Sequence, residues 1–211
     1  MIRPRTHWLD NALEPIGFAR VASHAFTSCA WSTSEVRHFV FLEPYSYVRG
    51  GPKDYLSIKY GFRNDDAELF SYDCWRRYGG PNLVSIKPIK SYHCSNSFFV
   101  IDEGRSESSL KRAFEIKIVD GDNDLVGCIV RKKLVEEVAP KVSQIASIET
   151  LLHVLLSNDD NLGWTYANGA LRSAQIAALC CKLSRPDTYI ADVLKPFHQR
   201  ISAQIQIGFV A

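Results

Sequence analysis

The sharpest pattern in the chain is DYLSIKYGF at residues 54–62, where Leu56, Ile58, Tyr60 and Phe62 alternate with Ser57, Lys59 and Gly61. A period of two sends one set to each face of a strand, so the segment predicts a β-strand with one apolar face. Upstream, HFVFLEPYSYV at 38–48 is rich in aromatic and branched residues. Pro44 within it predicts an edge or a bulge, because proline cannot donate to a ladder. Between the two lies VRGGPKDY, where Gly50 and Gly51 open turn conformations closed to larger residues, so the pair reads as an antiparallel hairpin with a long loop. RVASHAFTSCAW predicts a first strand, and Tyr92 to Ile101 a further extended piece.

Elsewhere the period lengthens to that of a helix. Trp8, Leu9, Ala12, Leu13 and Ile16 predict an N-terminal helix ending at Gly17. Val126, Val130, Leu134 and Val138 predict a second, stopped by Pro140, and Ile145, Ile148, Leu151, Leu152, Leu155 and Leu156 a third, capped by Ser143. An alanine-rich helix over 166–183 and one capped by Asp187 complete the run, while EIKIV at 115–119 fits either period. Strands followed by helices predict an α+β fold: an antiparallel sheet with an N-terminal helix over 1–106, and a mainly helical C-terminal half over 107–211 packed on it as one compact unit. The join falls near 103–108.

Composition narrows the function. With 211 residues, 46% of them hydrophobic, the chain can bury a substantial core. Lys and Arg number 25 against 23 Asp and Glu, so no strong net field draws in nucleic acid or anionic lipid. The N-terminus lacks a secretory pattern and no run of about 18 apolar residues spans a bilayer, which predicts a cytoplasmic protein without a membrane partner. The cysteines at 29, 74, 94, 128, 180 and 181 form no CxxC pair and read as mostly buried thiols.

Candidate chemistry is scattered. His93 and Cys94 are adjacent in SYHCS, and neighbours on a strand point to opposite faces, so with Cys74 and His38 they make a poor metal set. DGDND places Asp120, Asp122 and Asp124 like the first ligands of an EF-hand, but Leu125 stands where the loop needs glycine and Arg131 where it needs glutamate. It reads as a turn with Asp124 capping the next helix. Asp102, Glu115 and Lys117 resemble the loose signature of restriction-like nucleases, in which carboxylates hold Mg²⁺ against phosphate and lysine assists water. That reading makes nucleic acid the alternative partner. RKK at 131–133 reads as a solvated helix face.

Two stretches point to recognition instead. EPYSYVRGG and SYDCWRRYGGPN carry Tyr45, Tyr47, Arg49, Trp75, Arg76, Arg77 and Tyr78, the residue types that dominate interface centres, on what read as loops. Over residues 7–101, WLDNALEPIGF, HFVFLEPYSY and DYLSIKYGF resemble in order an uncharacterised bacterial α+β domain group, similar in layout to toxin-immunity proteins. The resemblance implies binding and blocking a toxin, with no catalytic residues to carry over. The expectation is therefore a non-catalytic, cofactor-free protein-interaction domain, with a Mg²⁺-dependent nuclease and a purely structural protein as alternatives.

Overall fold

The computed structural model describes residues 8–78, 94, 96–100, 114–118, 122–157 and 169–195, the side chains of 75–78, 96, 98, 99 and 169–171 excepted. The chain opens with α1, Trp8–Leu13, and one 3₁₀ turn over Glu14–Ile16. Gly17 ends that turn at φ 80°, the left-handed conformation that favours glycine, with its N–H bonded to the Glu14 carbonyl. Six strands follow: β1 Phe18–Ala22, β2 Ala25–Ser28, β3 Arg37–Tyr45, β4 Tyr55–Arg63, β5 Asn96–Phe99 and β6 Glu115–Lys117. They form one antiparallel sheet in the order β1-β2-β3-β4-β5, with β6 also paired to β4. The α+β plan predicted from the alternation of periods is the one observed.

The long hairpin is the axis of the sheet. β3 and β4 pair along their whole length, from Arg37↔Arg63 to Tyr45↔Tyr55. One face of that ladder carries Val40, Leu42, Leu56, Ile58, Tyr60 and Phe62, all buried, as the alternation predicts. Burying each such side chain contributes about 1.5–3 kcal/mol relative to leaving it in water. Pro44 is tolerated for a reason the sequence did not disclose. The Leu42 N–H points toward the β2 side, bonding the His24 carbonyl, so residue 44, two further on, faces the same side. β2 reaches only as far as Phe41, so no ladder donor is required there.

Local differences from the sequence reading have identifiable causes. RVASHAFTSCAW is split between two strands, because Ser23 and His24 turn the chain between β1 and β2. Within EIKIV, Glu115–Lys117 resolves as strand, paired through Ile116↔Leu56 on the apolar face, while Val119 lies outside the described residues. The segment after β4 is a helix, α2 Asp65–Tyr78, not a loop. Its start was readable: the Asn64 side chain accepts the Ala67 N–H at 3.1 Å, and Asp65, Asp66 and Glu68 lie in the first turn.

In the C-terminal half, α3 Asn123–Lys133 runs through a widened π turn at Leu134–Val138 into α4 Ala139–Val142. Pro140 therefore does not stop the chain. It sits in the first turn of α4, and in the widened turn before it the Ala139 N–H reaches back to the Leu134 carbonyl. Val126, Val130, Leu134, Val138 and Val142 are all buried. Asp124 lies inside α3, and the flanking position belongs to Asp122, which makes no side-chain cap.

Helix α5, Ile148–Ser157, is capped not by Ser143 but by Ser147, whose hydroxyl accepts the Thr150 N–H at 3.2 Å while Thr150 Oγ1 accepts the Ser147 N–H at 3.0 Å. Ser143 instead follows α4 and donates to the Pro140 carbonyl. Helix α6, Gly169–Lys182, packs on α2 and α5, with Gln175 donating to the buried Glu68 carboxylate at 2.8 Å. After Pro186 the chain is helical again over 187–195, with Asp187 inside the run.

Sheet and helices share one hydrophobic cluster, from Leu9 and Phe26 to Leu155 and Leu179. Their junction is also tied by polar groups: Thr33 Oγ1 donates to the Ala146 carbonyl at 2.8 Å, and the Glu35 carboxylate accepts the Ile148 N–H at 2.8 Å. The predicted join at 103–108 lies outside the described residues. No helix among the described residues is long and apolar enough to cross a membrane.

Candidate functional site

The second face of the sheet carries the chemistry-bearing residues. Alternation sends Phe41, Glu43 and Tyr45 of β3, Tyr55, Ser57 and Lys59 of β4, and Glu115 and Lys117 of β6 to this side. Register then aligns them in rows. Tyr45, Tyr55 and Lys117 form one row across three strands, and Glu43, Ser57 and Glu115 the next. Residues from two separate expectations, the contact tyrosines and the nuclease pair, thus share one surface.

Beyond the end of β3 the chain folds Tyr47 back over this face. Tyr45, Tyr47 and Tyr55 make a three-ring cluster: Tyr47 meets Tyr45 edge-on at 5.4 Å and Tyr55 edge-on at 4.9 Å, with Tyr45 and Tyr55 at 5.7 Å. Edge-to-face contacts at these separations contribute about 0.5–1.5 kcal/mol beyond area burial. The Tyr47 hydroxyl donates to the Glu115 carboxylate, and the Tyr45 hydroxyl donates to that of Tyr47 at 3.4 Å. The hydrogen bond to Glu115 raises the Tyr47 pKa. Burial, followed by the nearby Glu115 and Tyr47, raises that of Tyr45. Both phenols remain neutral donors at physiological pH.

This cluster supports a protruding tip. Tyr47 and Val48 are each 68% exposed, and Arg49 beside them is exposed as well. Gly50 takes φ 77°, reserved in practice for glycine, and Ser46 bridges the turn by donating to the Val48 carbonyl while accepting the Val48 N–H. An exposed tyrosine, valine and arginine are therefore presented on a turn with fixed backbone bonds.

No family model, curated protein or solved structure matches this chain. The site consequently rests on its own geometry.

Other predicted site residues fall in different places. Trp75, Arg76, Arg77 and Tyr78 lie on the last turn of α2, a helix where a loop was expected, and their side chains are outside the described set. Asp102 lies outside the described residues, as do His93 and Asp120. Glu115 and Lys117 do share a face, but the Glu115 carboxylate accepts from Tyr47. Among the described residues no three His, Cys, Asp or Glu side chains converge as metal ligands would. Cys94 is half-buried, its thiol donating to the Phe62 carbonyl at 3.0 Å, whereas His38 is buried on the opposite face and bonds the Ile145 carbonyl at 2.9 Å. The expectation of mostly buried thiols fails. Only Cys180 is buried, while Cys29, Cys128 and Cys181 are exposed. Successive helix positions turn by about 100°, which is how Cys180 and Cys181 part company. In the RKK run, Lys132 is exposed, but Lys133 lies over the Phe114 ring and pairs with Glu137.

Proposed function

We propose that this chain is a non-catalytic protein-interaction domain that masks a partner protein in the manner of an immunity protein, acting in the cytoplasm and without a cofactor. The β3–β4 tip, with Tyr47 and Arg49 and with Tyr45 behind them, is the centre of the contact surface. The observation that carries this reading is the braced and exposed Tyr47–Arg49 segment, held from beneath by two tyrosines and Glu115. Tyrosine and arginine combine contact area with directed polar groups, and a surface already fixed loses little entropy on binding. The resemblance of residues 7–101 to an uncharacterised α+β domain group similar in layout to toxin-immunity proteins is in keeping with the same reading.

A binding experiment tests it. The full chain captured from its source cells should retain one stoichiometric partner, and Tyr47→Ala with Arg49→Ala should weaken that complex at least about tenfold while leaving the fold intact. Retention of the same partner at full strength by the double variant contradicts the assignment.

A further inference from the structure

A shallow depression of about 340 Å³ lies on the second face of the sheet, apart from the tyrosine tip. The β1–β2 turn, with Ser23 and His24, forms one wall; Phe41, Glu43 and Lys59 lie across from it, and Ser97 of β5 closes the far side. Its volume falls at the lower end of the roughly 300–1,000 Å³ usual for small-molecule sites.

The two carboxylate and ammonium side chains that line it are opposite in charge and adjacent. Lys59 Nζ lies 2.6 Å from Glu43 Oε2, and the lysine side chain is only 15% exposed. His24 adds an unusual feature: its Nδ1 is shielded from solvent and has no hydrogen-bond partner among the described residues. Its backbone is fixed by the Leu42 N–H to His24 carbonyl bond at 2.8 Å. Burial first, then Lys53 and Arg20, lower the imidazole pKa against an opposing contribution from Glu43, so the ring is neutral at physiological pH. A nitrogen closed to water is closed to a dissolved ligand as well, so His24 serves the depression as wall and not through this atom. Beside it, Phe41 supplies a half-buried aromatic surface.

We propose that this depression binds a free α-amino acid, its carboxylate toward Lys59, its ammonium toward Glu43 and its side chain against Phe41. A net ion would leave one member of the pair facing like charge, whereas a zwitterion meets both with opposite charge. The closeness of the pair selects among zwitterions. An α-amino acid holds both charged groups on one carbon, while a dipeptide separates them by a further residue. The proposal is independent of the partner-binding reading.

Amide NMR of the full-length chain, titrated with free amino acids carrying apolar side chains, tests this directly. Saturable shifts are expected at Ser23, His24, Phe41, Glu43, Lys59 and Ser97. N-acetylated and carboxamide forms, each lacking one charge, and dipeptides should bind at least about tenfold more weakly. Glu43→Gln should cease to distinguish the acetylated from the free form, and Lys59→Met the amide from the acid. Ser97→Leu fills the depression without removing charge and should abolish the shifts. The derivative series uses the unaltered chain, so it stands even if a variant fails to fold. Absence of saturable shifts up to about 10 mM for any standard amino acid, or equal binding of the singly charged derivatives, overturns the proposal.

Discussion

The two faces of the central hairpin come from the same eighteen strand positions and do opposite things. Val40, Leu42, Leu56, Ile58, Tyr60 and Phe62 turn toward the helices and disappear from solvent, with burial pushing the Tyr60 phenol up to about 12. Glu43, Tyr45, Tyr55 and Lys59 turn the other way and remain at least partly accessible. Much of the driving force for folding therefore sits on the first face, and the second can carry paired charges and phenols that a core would penalise. The division is not absolute: Phe39, on the second face, is also buried, with the Arg37 guanidinium over its ring. Still, stability and candidate recognition are assigned to separate faces by alternation alone.

One substitution on each face tests that contrast. Ile58→Ala should destabilise the fold by about 2–5 kcal/mol, since it opens a cavity in the shared core. Lys117→Ala on the second face should leave the denaturation midpoint where it was. Chemical denaturation of the two variants compares the faces directly, and equal losses would remove the distinction.

The first face depends on backbone proximity as well as on apolar area. A Cβ built on Gly127 of α3 would come within 2.9 Å of the Ala12 Cβ on α1. Gly127→Val should accordingly cost about 1–3 kcal/mol, because two helices must separate to admit it. Adding Ala12→Gly should recover part of that loss in a thermal-melt cycle. Simple additivity of the two changes would place the strain elsewhere.

A smaller effect should appear with pH at the junction of sheet and helices. His38 is 1% exposed; its Nε2 donates to the Ile145 carbonyl, and its Nδ1 has no partner among the described residues. Burial lowers its pKa below 6.5, with the Ile145 bond opposing more weakly. Below pH 6.5 the unfolded chain takes up a proton that the folded chain resists, so stability present above that pH is lost as pH falls toward the depressed folded value. One such site gives at most about 1.4 kcal/mol per pH unit. His24 contributes in the same direction. In denaturation series between neutral and mildly acid pH, His38→Gln should flatten the slope without removing it, and an unchanged slope would assign the effect to other groups.

What the sequence made readable follows the strength of its periodicities. Alternation over 54–62 identified the strand, its buried face and its partner, because a slip of one residue would have exposed Leu56, Ile58, Tyr60 and Phe62 together. The four-residue spacing from Val126 to Val138 identified a helix but not its continuation, since accommodation of Pro140 through a widened turn is not written in hydrophobicity. Helix α2 was missed because its apolar positions do not define a single stripe: Leu69 and Phe70 are exposed while Glu68 and Ser71 are buried against α6. Asn64 with the acids after it was the available signal. The site was half readable. Tyr45, Tyr47 and Arg49 stood out by residue type, but contact between Tyr47 and Glu115, 68 positions apart, depends on pairing β6 with β4, and EIKIV carried two competing periods.

Whether the tip itself holds the partner is tested by site-specific photo-crosslinking in the source cells, with a photoreactive residue at Val48 on the tip and, as a control, at exposed Val135 on the helical half. One discrete crosslinked partner is expected from Val48, absent from Val135 and lost when Tyr47 and Arg49 are replaced by alanine. Crosslinks from Val135 alone, or tip crosslinks that survive loss of both side chains, would contradict a contact through the tip.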